Sequence, residues 1–111
     1  MALYDLIPPP GDKSADFAVR IEGSELAPYV PAGETAYLIR SADLDDGDVG
    51  LFRAGEGMVF RQFCRDVRGS VYLFCLDRTK KDGDLIFPAQ AQMPVCYGKL
   101  LLDKPIPLPM D

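Results

Sequence analysis

A mainly β fold of short antiparallel strands and hairpins is predicted here by three features of the sequence. Short apolar segments rich in Val, Ile, Leu, Phe and Tyr are punctuated throughout by Gly, Pro and Asp. The segment "DFAVRIEG" places Phe17, Val19 and Ile21 on one side and Ala18, Arg20 and Glu22 on the other, the alternation of a half-buried strand. No window of helical length shows an amphipathic period; the nearest is a single turn around Ser24 to Tyr29.

The remaining elements follow in order. "TAYLIR" resumes extended structure after the Pro31 to Gly33 turn, and "DVGLFRA" does so after the turn at Asp45 to Gly47. "GLFRAGEGMVFRQFCR" reads as a hairpin, its two apolar arms joined by the small and polar residues "AGEG" at 54–57. The charged turn "RDVRG" then leads into "GSVYLFCLD", a second hairpin with the preceding arm, and "DLIFP" and "PVCYGKLLL" complete the strands. Residues 1–16 carry three consecutive prolines and suit an extended approach segment or linker remnant, 17–102 form the β domain, and 103–111, "DKPIPLPMD", form a tail. Proline at alternate positions bars that tail from donating regularly to a sheet, so it should run extended along a surface.

Composition narrows the chemistry. A chain of 111 residues suits one domain, which buries roughly two thirds of its unfolded surface. A formal net charge of -5 argues against gripping nucleic acid, because phosphate binding needs a cationic face. No apolar run approaches the ~20 residues that cross a bilayer, which predicts a cytoplasmic chain without membrane association. Histidine is absent, so Ser-His-Asp and Cys-His catalysis and imidazole-bearing metal sites are excluded. Cys64, Cys75 and Cys96 are too far apart for zinc spacings and read as buried thiols. "DLDDGDVG" at 43–50 has its glycine one place early for a calcium loop and Ala54 where a bidentate Glu is required, so it reads as a solvated turn. "AGEG" lacks a following helix to aim amides at a phosphate, and "RTKK" at 78–81 reads as a solubilising loop patch. No cofactor or metal is predicted.

The order of parts carries more information than any one of them. A strand ends in Gly23; "GSELAP" follows, then the turn "PAGE" at 31–34, "GDVGLF" at 47–52, and "VFRQF" at 59–63 after the hairpin. "VYLFCLDR" at 71–78 and "VCYGKLLL" at 95–102 close the series. This order resembles the peptidase domain of LexA-like self-cleaving repressors, phage repressors and their signal-peptidase relatives, over about residues 15–102. The resemblance implies a signal-peptidase-like β-rich fold, with Gly23, Ser24, Glu25, Leu26 and Pro28 as the former nucleophile loop. Glu25 then stands at the family's serine position, Leu26 at its methionine position and Arg61 at that of its lysine.

Those replacements remove the chemistry that the resemblance would otherwise imply. The family's serine attacks a carbonyl after a neutral lysine takes its proton. Glu25 lacks that hydroxyl, and a guanidinium keeps its proton up to a pKa above about 12. Brought together, Glu25 and Arg61 would instead form an ion pair holding the loop against the hairpin. The expectation is therefore a catalytically inactive, LexA-like C-terminal domain of a phage- or prophage-type transcriptional regulator. It would associate as a homodimer or act as a sensor, with DNA read only by a separate helix-turn-helix domain. The preferred pairing surface is the "VCYGKLLL" strand and the tail behind it. Two alternatives are an active self-cleaving serine peptidase using Ser24, and a β module binding a peptide or small ligand in the old cleft through Arg61. The first lacks a base at the partner position, since Lys13, Lys80, Lys81 and Lys99 fall in loops or a distant strand.

Overall fold

The structure is a computed structural model that describes residues 6–7, 15–40, 43–54, 57–102 and 106–109. Among these, the strands are β1 (Leu6–Ile7), β2 (Phe17–Arg20), β3 (Thr35–Ile39), β4 (Val49–Ala54), β5 (Gly57–Arg65), β6 (Val71–Phe74), β7 (Leu85–Phe87) and β8 (Cys96–Leu100). They form one open antiparallel sheet in the order β1-β2-β3-β8-β4-β5-β6-β7. Seven of these strands run three residues or more, and β1 adds a two-residue pairing at one edge. The mainly β expectation holds. Among the described residues helix is confined to a 3-10 segment at Arg78–Gly83, which begins with the stretch at 78–81 read from sequence as a basic loop patch.

Both expected hairpins form. Val49 faces Gln62 and Ala54 faces Gly57 across β4 and β5, while Gln62–Arg65 pairs with Val71–Phe74 across the "RDVRG" turn. The turn residues Gly55 and Glu56 lie outside the described residues, as do residues 8–14 of the expected approach segment. Asp66 organises the second turn: its carboxylate accepts from the N–H groups of Arg68 and Ser70 and from the Tyr72 hydroxyl.

Alternation along the strands gives the sheet two apolar faces. Val19, Ala36, Leu38, Val49, Leu51, Phe60 and Leu100 belong to the larger cluster, and Phe52, Phe63, Val71 and Leu73 to the smaller. A register shift between Leu51 and Phe52 against β8 lets Cys96 join the second cluster. Gly98 is required where the Phe17 ring from β2 reaches over β8, since a Cβ there would lie 2.7 Å from that ring. Cys64 and Cys75 are buried as expected, Cys96 is half-buried, and all three thiols are free.

Two segments outside the strands enter the larger cluster. The loop after β2 is closed by paired hydrogen bonds, Ile21 N–H to Glu34 O and Gly33 N–H to Ile21 O, and it inserts Leu26 and Val30. The tail inserts Ile106, 6% exposed, although it was expected to lie along the surface. A side chain of that size gains more from a socket in the core than from solvent contact, and proline neighbours leave few N–H groups to bury with it.

Candidate functional site

β5 carries Arg61 on the sheet face shared with Val59 and Phe63, because its register sets Gly50 opposite Arg61 and Val49 opposite Gln62. β6 pairs only with Gln62–Arg65, so the earlier half of β5 runs beside an opening. The opening is a cleft of about 460 Å³ whose lining includes Glu25, Arg61, Cys75, Asp77, Thr79 and Asp82. The sequence placed Glu25 and Arg61 together, and the fold does bring both to this cleft.

Glu25 arrives on the loop from β2. In that loop Ala27 donates to Ser24 O, Tyr29 and Val30 donate to Leu26 O, and the Ala27–Pro28 bond is cis. Leu26 points the other way and is completely buried, so core packing fixes the loop that presents its neighbour. Gly23, Ser24 and Pro28 are exposed. Arg61 donates from Nε to Gly83 O at 3.2 Å and from Nη1 to Phe60 O at 2.8 Å. These bonds tie the guanidinium to the end of the 3-10 helix and to its own strand. Two main-chain carbonyls thus hold the arginine side chain in place.

The far wall is built by the 3-10 helix and its flanks. Asp77 opens the helix by accepting from Thr79 N–H at 3.0 Å and from Thr79 Oγ1 at 2.6 Å. Asp84, just past the helix, reaches back to its start: its carboxylate accepts from Cys75 N–H at 2.7 Å and from Arg78 Nη1 at 2.9 Å. Gly83 lies so close to its neighbours that a Cβ would stand 2.8 Å from Cys75 Sγ and 3.3 Å from Arg61 Nη2. Burial pushes the Cys75 thiol up from its ordinary value, with the Arg61 charge opposing. The cleft presents acidic, cationic and hydroxyl side chains together. Its arginine cannot accept a proton.

Ser24 does not line the cleft, and Lys99 is engaged with Asp48 at 3.4 Å on β8. Lys13 and the side chains of Lys80 and Lys81 fall outside what the structure describes. Among the described residues no group of His, Cys, Asp and Glu could hold a metal, and no helix is long and apolar enough to cross a membrane. The acidic stretch at 43–50 shows why. Asp45 N–H donates to Asp48 Oδ2, Asp46 Oδ1 accepts from Arg65 N–H, and Gly47 takes a φ of 96°, so the carboxylates cap a turn.

The wall of Cys75, Asp77, Thr79 and Asp82 was not anticipated. The signal for it was the run of Asp and Thr in "CLDRTKKDGD", whose spacing suits side-chain capping of a short helical turn. The chain matches no family model, no curated protein and no solved structure.

Proposed function

We propose that the chain is the association domain of a phage-repressor-type transcriptional regulator, LexA-like in plan, in which the hydrolytic pair has been replaced by Glu25 and Arg61. The observation that supports this reading is the presence of those two residues on one cleft, one carried by a loop and the other by a strand distant in sequence. A serine and its lysine base likewise have to be brought to one cleft from separate segments. Here an acid and a permanent cation occupy the two places, and Ser24, one residue earlier, is exposed outside the cleft. The domain is cytoplasmic and needs no cofactor. It pairs as a homodimer, and DNA is read by a separate helix-turn-helix segment, in keeping with the acidic charge.

Prolonged incubation of the protein at alkaline pH, followed by intact mass, tests the loss of catalysis. An unchanged mass is expected; fragments that disappear in Ser24→Ala would establish the peptidase instead. Sedimentation velocity across a wide concentration range tests association. A concentration-dependent dimer is expected, and a monomer throughout would remove the pairing role.

A further inference from the structure

Gln62 is the one polar side chain among the buried core residues described, 2% exposed. Its Nε2 reaches the carbonyls of Ile106 at 2.8 Å, Gly47 at 3.2 Å and Pro107 at 3.4 Å. A strand side chain therefore reads the main chain of two consecutive tail residues. The tail forms no strand there, and Pro107 and Pro109 have no N–H that would need a partner. What the site asks of its occupant is carbonyls on an extended backbone and an apolar side chain between prolines.

We propose that the groove bounded by the Asp45–Asp48 turn, β5 and the end of β8 is a peptide-binding site. Its ligand is an extended apolar segment with proline at every second position, and residues 106–109 are the resident occupant. The socket belongs to the body of the domain: Ile106 packs in the cluster that contains Val49 and Leu100, and Gly47 lies beneath the tail, its Cβ position 3.8 Å from Ile106 O. Beside the tail the groove continues as an opening of about 480 Å³ lined by Leu102, Leu108 and the Lys99–Asp48 pair. A socket in the domain body with a short occupant that forms no strand is one that a free peptide of the same chemistry enters once the resident segment is displaced. This inference is independent of the regulator reading.

The full chain carrying Ile106→Asp provides the test, because a carboxylate cannot occupy the socket and the resident segment is unseated. A fluorescent peptide with the sequence of residues 103–111 should bind this variant saturably, raise its melting temperature, and bind the unaltered chain at least tenfold more weakly. Adding Gln62→Leu to the variant should weaken binding about tenfold, and a peptide with aspartate in place of its isoleucine should not bind. A folded Ile106→Asp chain with no saturable binding, or binding indifferent to Gln62→Leu, would overturn the proposal. If Ile106→Asp does not fold alone, the peptide at millimolar concentration should restore its cooperative transition, and failure to do so would overturn the proposal equally.

Discussion

Replacing Gln62 by leucine keeps the volume of a buried side chain while deleting the donor that faces three carbonyls. An amide nitrogen carries two protons, so the three acceptors share two hydrogen bonds, each with a net value of about 1 kcal/mol. The bond to Ile106 O is the shortest and lies in a buried environment, so that carbonyl loses its donor where water cannot readily replace it. The Gly47 and Pro107 carbonyls are at part-buried contacts and recover some hydration. The added apolar surface of leucine returns part of the loss. The expected net destabilisation is about 1–3 kcal/mol, or a melting temperature lowered by roughly 4–8 °C per kcal/mol for a domain of this order. Urea unfolding followed by circular dichroism measures it. The cycle with Ile106→Ala gives the sharper readout: Ile106→Ala alone should cost at least about 2 kcal/mol, and the two changes together less than their sum, because each loosens the same segment. Strict additivity within about 0.3 kcal/mol, or a Gln62→Leu midpoint equal to that of the parent, would refute the clamp.

Gly83→Ala should destabilise by about 1–3 kcal/mol in urea, since its new methyl meets the buried Cys75 sulfur at 2.8 Å; a neutral result would show that the 3-10 helix yields there. Leu26→Ala should cost about 2–5 kcal/mol by the same assay, whereas Ser24→Ala at the exposed neighbouring position should lie within about 0.5 kcal/mol of the parent. At Asp66, desolvation pushes the carboxyl up, but hydrogen bonds from Ser70, Tyr72 and Arg68 and the Arg68 charge outweigh it and hold the group below its ordinary value. Its contribution is therefore present above the unfolded-state value of about 3.9 and is lost as pH falls through the folded value. Asp66→Asn should flatten the acid limb of a stability–pH profile, and an unchanged limb would count against it. Burial raises Cys64, Cys75 and Cys96, so the folded chain holds their protons to higher pH than the unfolded one. That stabilisation is complete below about 8.5 and declines as pH rises through the folded values; a profile flat across the alkaline range would contradict it.

The sheet was legible because its strands alternate and its turns are marked. Val19 and Ile21 point into the larger core as the pattern at 16–23 requires, and the hairpins at 49–65 and 62–74 form where Gly and Asp interrupt the apolar runs. The 3-10 helix at Arg78–Gly83 was not legible, because six residues are too few to display a period and the carboxylates of Asp77 and Asp84 that hold it both bond to groups at or before its first turn. Ala18 shows a related limit. It falls on the strand's second face yet is fully buried, which alternation within β2 does not predict.

The Glu25–Arg61 cleft and the tail groove differ in how they could be found. The resemblance in the order of motifs was what suggested reading Glu25 and Arg61 together, and both residues line one cleft. The Gln62 clamp leaves no such trace. A glutamine at an alternating strand position has the same sequence signature whether it faces water or lies beneath another segment, and the proline-rich tail reads as a solvated end. What distinguishes the cases is the inventory of hydrogen-bonding groups. A buried amide side chain needs acceptors, and a segment with proline at every second residue supplies carbonyls while contributing few donors of its own. Each therefore removes the cost of burying the other. Neither feature signals a contact alone, but together they make Gln62 and Ile106 a matched pair, and substitution at either should release the tail while leaving the strand order intact.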